Sequence, residues 1–189
     1  YLARTGHFNE AFAEIKRAQE LDPLSLVLNS AVGGVLYQSR RYDQAIQQLR
    51  QTLAMDPSFA PAHFNLAATY GEKRMYPEAI AELRTALTFA GDDPRLIGSL
   101  GCAYAVSGNQ AEARKILNEL LARSKRGYFP SWAIAAVYVG LGDKDRAFEW
   151  LGKAVEERGE YMTWFKTEPL YDPLRSDPRY HALLRKMNL

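Results

Sequence analysis

The apolar positions of this chain recur at two intervals, one short and one long. The short interval is three or four residues: Leu66 and Tyr70, then Ala79, Leu83 and Ala86, fall one helical turn apart. That spacing predicts two consecutive helices, each with a single apolar stripe. The long interval is 34 residues, seen in alanine at Ala11, Ala45, Ala79, Ala113 and Ala147. A large aliphatic follows four residues later each time, at Ile15, Leu49, Leu83, Leu117 and Leu151. Three residues further stand Ala18, Thr52, Ala86, Leu120 and Ala154, and nine residues before each alanine stand Leu2, Leu36, Tyr70, Tyr104 and Tyr138. Gly6, Gly108 and Gly142 lie five residues before it, with Arg40 and Arg74 in that place elsewhere. Several positions agreeing in phase over five units predict an array of helix–turn–helix repeats.

Each recurring residue type has a physical reason. Alanine lets two helix backbones approach, and the aromatic and leucine positions fill the space beside it. The turn needs a left-handed residue, which glycine supplies at least cost, so Arg40 and Arg74 must manage without it. Asp22-Pro23 and Asp56-Pro57 are 34 apart, and Asp93-Pro94 comes three residues late. Such pairs are expected to end one helix and start the next. One helix pair cannot bury its own apolar faces, so each needs a neighbour.

These residues resemble the tetratricopeptide repeat family, whose period is 34. The resemblance extends to about Arg158 and implies an all-α, right-handed superhelix. The family's early tryptophan is missing: Asn29, His63, Ile97 and Ser131 hold that place. Leu120 replaces a small residue, which implies a splayed or shifted fourth helix pair. The phase divides the chain into a partial unit at 1–24, units at 25–58, 59–92, 93–126 and 127–160, and a C-terminal capping segment at 161–189. In that segment Asp177-Pro178 reads as an N-cap and first-turn proline, with Tyr180, Leu183, Leu184 and Met187 on one helical face. The expected role is to cover the last open apolar face.

A narrower resemblance lies near the end. Gly142-Asp143-Lys144-Asp145-Arg146-Ala147-Phe148-Glu149-Trp150-Leu151, followed by Asp172-Pro173-Leu174-Arg175-Ser176-Asp177-Pro178-Arg179-Tyr180, is similar to the C-terminal repeats of large bacterial signalling proteins. There such repeats follow a serine/threonine kinase or winged-helix DNA-binding domain. The resemblance implies a regulatory or partner-sensing segment. Because the chain begins at Tyr1 inside a repeat, it reads as a piece of a longer protein.

Charge and composition narrow the function. Nearly half the 189 residues are apolar, and 24 basic against 22 acidic residues leave a net charge of +2. A phosphate-binding face needs a sustained basic excess, so no nucleic-acid contact is expected here. The clusters Arg40-Arg41 and Arg123-Ser124-Lys125-Arg126 read as solvated loops. One cysteine, Cys102, excludes an internal disulfide and reads as a buried thiol. The longest weakly charged run, Leu96 to Gln110, is too short to span a bilayer, so no membrane insertion is expected. His7, His63 and His181 do not cluster with other ligand types, which gives no metal site, and His63 reads as a packing residue on a helix. No phosphate-cradling glycine loop or nucleophile elbow is present. We therefore expect no catalysis and no cofactor. The compartment is open, with the cytoplasm the simplest reading of a soluble region.

In the resembled family the first helix of each unit lines a concave face. By phase, that face here carries Ser30, Tyr37, Gln38, Phe64, Asn65, Ala68, Glu72, Arg95, Ser99, Cys102, Phe129 and Trp132. Asn65 suits paired hydrogen bonds to a peptide backbone, Arg95 suits a carboxylate, and Tyr37, Phe64, Phe129 and Trp132 suit apolar side chains. The same aromatics could equally pack between repeats. The family's places for clamping heat-shock chaperone C-termini carry Ser30, Gly34, Phe64 and Ala68, which argues against that partner. The leading expectation is a protein- or peptide-binding scaffold. The alternatives are self-association without a separate ligand, or a superhelix that delivers substrate to a catalytic domain elsewhere in the chain.

Overall fold

The computed structural model describes residues 1–127 and 129–189. Every regular element among them is helical. The chain divides into two compact units, Tyr1–Asp92 and Asp93–Leu189. The first contains α1 (Leu2–Thr5), α2 (Phe8–Leu21), α3 (Leu26–Gln38), α4 (Tyr42–Met55), α5 (Ala60–Glu72) and α6 (Tyr76–Ala90). The second contains α7 (Pro94–Val106), α8 (Gln110–Arg126), α9 (Ser131–Leu141) and α10 (Lys144–Glu156). Two 3₁₀ stretches follow, Glu160–Trp164 and Pro169–Leu174, and then α11 (Pro178–Lys186).

Helices pack in consecutive antiparallel-type pairs, α3 with α4 and α5 with α6, and α4 also lies against α5. The repeating alanines are where the pairs close: Ala45, Ala113 and Ala147 are 0% exposed and Ala79 is 1%. Leu49 and Leu151, one turn on, are also sealed. In the first unit, Val32, Leu36, Tyr37, Leu49, Leu66 and Tyr70 share one cluster with Ala45, Ala62 and Ala79. A Cβ on Gly33 would stand 2.5 Å from the Leu49 side chain, so glycine there is what lets α3 meet α4.

The turns explain the aliphatic-or-aromatic series. The carbonyls of Leu2, Leu36, Tyr70, Tyr104 and Tyr138 each accept from the amide five residues on, at His7, Arg41, Met75, Asn109 and Asp143, at 2.9–3.0 Å. This is the Schellman closure of a helix C-terminus, and it forces a left-handed residue just before the donor. Gly6, Gly108 and Gly142 supply it with φ of 90°, 88° and 75°. Arg40 and Arg74 adopt φ of 61° and 58° in the same place, where a side chain costs roughly 1 kcal/mol.

The expectation for the Asp-Pro pairs is corrected. Asp22-Pro23 and Asp56-Pro57 do not start helices: Asp22 and Asp56 end α2 and α4, and α3 and α5 begin later, behind Ser25 and Phe59. Asp93-Pro94 does start one, as the N-cap and first residue of α7. Its three-residue lag is therefore a change of role. The helix phase itself does not slip, since α5 begins at Ala60 and α7 at Pro94. Leu120, in the place of a small residue, is sealed at 0% exposure, and α7 packs more closely on α9 than on its own partner α8, which is a shift of the fourth pair. In that unit α9 lies close against α7 through small residues: a Cβ on Gly98 would stand 2.7 Å from the Ala133 carbonyl, and one on Gly140 2.8 Å from the Cys102 carbonyl.

The C-terminal segment covers apolar surface as expected, but with more than α11. Asp177 caps α11 by accepting from the Arg179 amide, and Tyr180 is buried, with Leu183, Leu184 and Met187 packed partly against the core. Most of the burial comes from the irregular stretch before it, where Met162, Phe165, Tyr171 and Leu174 are all inside. The Tyr180 hydroxyl donates to the Phe165 carbonyl at 3.0 Å and accepts from Arg175 Nη1 at 2.7 Å. The same Arg175 nitrogen donates to the Lys166 carbonyl at 2.6 Å.

Two substitutions test this architecture by urea denaturation. Ala79→Leu forces methylenes into the α5–α6 contact and is expected to cost about 1–3 kcal/mol; an unchanged midpoint would remove alanine's role in the pairing. Tyr180→Phe strands the Phe165 carbonyl and is expected to cost about 1–2 kcal/mol. Wild-type stability in that variant would mean the hydroxyl network is incidental.

Candidate functional site

In the first unit the candidate residues lie on α3 and α5. The Asn65 amide donates to Ser30 Oγ at 3.2 Å and to the Ser30 carbonyl at 3.4 Å. These two residues therefore tie α3 to α5, and Ser30 is 3% exposed. Tyr37 is also inside, in the core cluster, with its ring 6.2 Å from that of Tyr42. Gln38 is buried, and its Oε1 has no hydrogen-bond partner among the described residues. Phe64, Asn65, Ala68 and Glu72 remain half-buried on one side of α5, at helical spacing, while Ala62, Leu66, Ala67 and Tyr70 are sealed on the other. On α3, 34 residues earlier than Asn65 and Ala68, Ala31 and Gly34 are half-buried in the same way. A Cβ on Gly34 would lie 3.5 Å from Asn65 Nδ2, so this glycine leaves room beside the amide. The result is a shallow stripe with a floor of small residues, one amide, one aromatic ring and one carboxylate. The Glu72 carboxylate accepts from the Tyr42 hydroxyl at 3.5 Å.

The second unit treats its candidates differently. Arg95 is exposed, but its guanidinium folds onto Asp93, with Nη2 to Oδ2 at 2.6 Å and Nε to both oxygens at 3.2 Å. Burial would raise the Asp93 carboxyl, yet the hydrogen bonds and charge of Arg95 hold it below its ordinary range. The cation expected to meet a partner's carboxylate thus already meets one. Ser99 is half-buried and Cys102 is buried. Trp132 is 8% exposed, with its ring stacked on Tyr161 at 4.6 Å and Gly159 against its edge.

What covers Trp132 is the chain itself. Burial, then the neighbouring Glu168 and Tyr171, push the Tyr161 phenol up, with Arg95 opposing and Asp93 adding to the shift. Burial likewise raises Tyr171, beside Glu168 and Cys102. The segment after α10 therefore lies along α9 and reaches the surroundings of Arg95 and Cys102 on α7. Tyr161, Glu168 and Tyr171 were not among the residues the repeat phase singled out. Their sequence mark is the loss of that phase after Glu160 together with dense aromatic content.

Phe129, the remaining candidate, is half-buried in an open pocket of about 490 Å³ with Trp150, Lys153, Glu156 and Glu157. Its charges are paired internally. Glu157 accepts from the Ser131 amide at 3.1 Å and hydroxyl at 2.5 Å, and Lys153 reaches Glu149 at 2.8 Å while lying over the Trp150 ring. Tyr128 lies outside the described residues, and the Arg123-Ser124-Lys125-Arg126 cluster, expected as a loop, is instead the last turn of α8. Among the described residues no group of His, Cys, Asp or Glu is placed to hold a metal ion, and no helix is long and apolar enough to cross a membrane.

Residues 36–101 match the model of the tetratricopeptide repeat family. No curated protein matches the chain in sequence. Solved structures with the same fold include a thermophilic tetratricopeptide protein of Thermus thermophilus, at TM-score 0.67 and 20% identity, covering 96% of this chain and 92% of that one. A chain of the APC/C hetero-tetramer Cut9-Hcn1 aligns at TM-score 0.66 and 19% identity, over 98% of this chain but 37% of its own length. YrrB, described as a tetratricopeptide protein with an unusual peptide-binding site, aligns at TM-score 0.54 and 17% identity, covering 91% of this chain and 89% of its own. At these identities the likeness is one of fold.

Proposed function

We propose that the chain is a polypeptide-binding scaffold whose docking surface is the half-buried stripe of the first unit. The observation that carries this reading is the stripe itself: Ala31 and Gly34 on α3 beside Phe64, Asn65, Ala68 and Glu72 on α5. Small residues give a floor on which an extended backbone can lie close. Phe64 offers an apolar anchor, and Asn65 retains amide capacity beyond its bond to Ser30. The tetratricopeptide match over residues 36–101, which includes most of this stripe, and the peptide-binding site named for YrrB support the assignment. Tyr37, Ser30, Gln38 and Trp132 contribute by packing, and Arg95, Ser99 and Phe129 lie outside the stripe. The likeness of residues 142–151 and 172–180 to bacterial signalling C-termini supports a place in a larger signalling protein. Self-association is the second reading, favoured by the exposed Leu21, Leu24 and Val27 at the turn between α2 and α3, at 85%, 78% and 67%.

The test is a block rather than a deletion. Ala68→Arg projects a long cation from the stripe without emptying the core, whereas Arg95→Ala removes a residue outside it. With both variants checked for folding by circular dichroism, Ala68→Arg is expected to weaken partner capture at least roughly tenfold, as loss of a central contact does. Arg95→Ala is expected to leave capture unchanged. The opposite pattern would move the surface to the second unit. Light scattering on the wild type separates the second reading, because a monomer at all concentrations excludes self-association.

A further inference from the structure

Leu21, Met55 and Phe89 are 34 residues apart, and each stands in the last turn of a second helix, on α2, α4 and α6. All three are exposed, at 85%, 42% and 52%, and Leu24 and Val27 extend the row at the turn after α2. The core of the first unit closes without them. The period does not demand apolar residues there, since it places Arg123 and Glu157 at the same positions of the second unit. Carboxylates accompany the row: Glu20 and Asp22 flank Leu21, Asp56 follows Met55, and Asp92 lies three residues after Phe89. Glu20, Asp22 and Asp92 are exposed. Asp56 is half-buried, and the Ser58 hydroxyl and amide hold its carboxyl below the ordinary range, so it stays ionised at neutral pH. The exposed cations of these helices stand a turn or more back, at Arg17, Arg50 and Arg84, and Arg50 is committed to the Tyr70 hydroxyl at 2.8 Å.

We propose that this edge of the first unit, apart from the stripe on α3 and α5, docks an amphipathic helix of a partner that carries one apolar side chain every second turn, with lysines or arginines beside it. The spacing selects a helix. Because α3 lies directly against α5, successive repeats advance by one helix width, roughly 8–10 Å. Seven residues of α-helix rise about 10.5 Å, so an apolar residue at every seventh position meets Leu21, Met55 and Phe89 in turn. Same-face side chains of an extended strand recur at about 7 Å and fall out of step. The charge selects a basic flank, since cations beside the apolar positions meet Glu20, Asp22, Asp56 and Asp92. The same carboxylates oppose an anionic lipid surface. They also oppose a second copy of this edge, which would bring acids against their equivalents. Among the described residues, no helix of this chain exposes large apolar side chains seven residues apart, so a second copy offers no matching face.

The test uses two alanine-based helical peptides with leucine at every seventh position, one flanked by lysine and the other by glutamate. Binding to the full chain is read by fluorescence anisotropy. The lysine peptide is expected to bind at least roughly tenfold more tightly than the glutamate peptide, and to weaken as salt screens the contact. The double variant Leu21→Ser, Met55→Ser changes only exposed side chains and is checked for folding by circular dichroism. It is expected to lower affinity for the lysine peptide at least roughly tenfold, as loss of buried apolar contacts does. Ala68→Arg, in the stripe, is expected to leave that affinity unchanged, so failure of this docking edge and failure of the stripe are read separately. No binding of the lysine peptide, equal binding of the two peptides, or binding that Ala68→Arg abolishes and the double variant leaves intact overturns the proposal. Light scattering adds one further outcome: a wild-type dimer that the double variant dissociates gives the edge to a second copy and overturns it as well.

Discussion

The close approach of paired helices, set by one alanine per repeat, is the constraint on which the rest of each unit depends. With Ala45 and Ala79 sealed, the backbones they sit between leave room for one layer of larger side chains, and Leu49 and Leu83 fill it one turn on. A methyl group at the crossing fixes distance without demanding a particular rotamer, so the pairing tolerates change at most other positions. Where the crossing is tighter still, glycine takes over: Gly33 under Leu49, and Gly98 and Gly140 between α7 and α9. The aromatic positions follow from the same geometry. Tyr70, Tyr104 and Tyr138 stand at the end of the first helix, where the chain turns and the space between helices widens. Their backbone carbonyls close the turn while their rings fill the gap.

That closure explains why the arginines at positions 40 and 74 are tolerable. The bond pattern of the turn is complete in both, so the left-handed residue is over-determined by its neighbours. The cost of a side chain there is small beside the burial the turn secures. In sequence, the five-residue offset between glycine and alanine predicted a turn at all five sites. Residue identity alone would have predicted three.

How much was legible depends on whether a residue's role is set by period or by neighbour. Helix order and the alanine and leucine series follow from period, which a single sequence displays. The Asp-Pro pairs did not, because an aspartate before a proline can end one helix or begin the next, and only the position relative to the helix phase decides. Among the candidate site residues, the repeat phase put Tyr37 and Trp132 on first helices turned from their partners, yet both are buried. Tyr37 is enclosed within its own unit's core, and Trp132 lies beneath Tyr161. The segment that covers Trp132 lies beyond the last repeat, so no rule of period could have found it. Its irregular 3₁₀ path is fixed by the hydroxyl of Tyr180 and the guanidinium of Arg175, contacts set by three-dimensional proximity.

The two units thus meet the same problem differently. Any first helix in such a pair has a side that its partner does not cover. In the second unit the chain folds Tyr161, Glu168 and Tyr171 back over that region, and the small residues of α7 and α9 draw those helices together. The first unit ends with α6 and contains no such segment among its described residues, and the uncovered side of α3 and α5 has been made shallow and nearly neutral. Alanine and glycine expose little apolar area, and Asn65 spends part of its amide on Ser30. A surface of that kind is stable without an occupant, because it strands few large apolar groups in water. It is also poised to gain from one, because a backbone lying on small residues buries area without first displacing bulky side chains. The economy of the stripe and the polypeptide-binding role proposed for it therefore rest on the same feature, which is the alanine and glycine content that the 34-residue period places on the first helices.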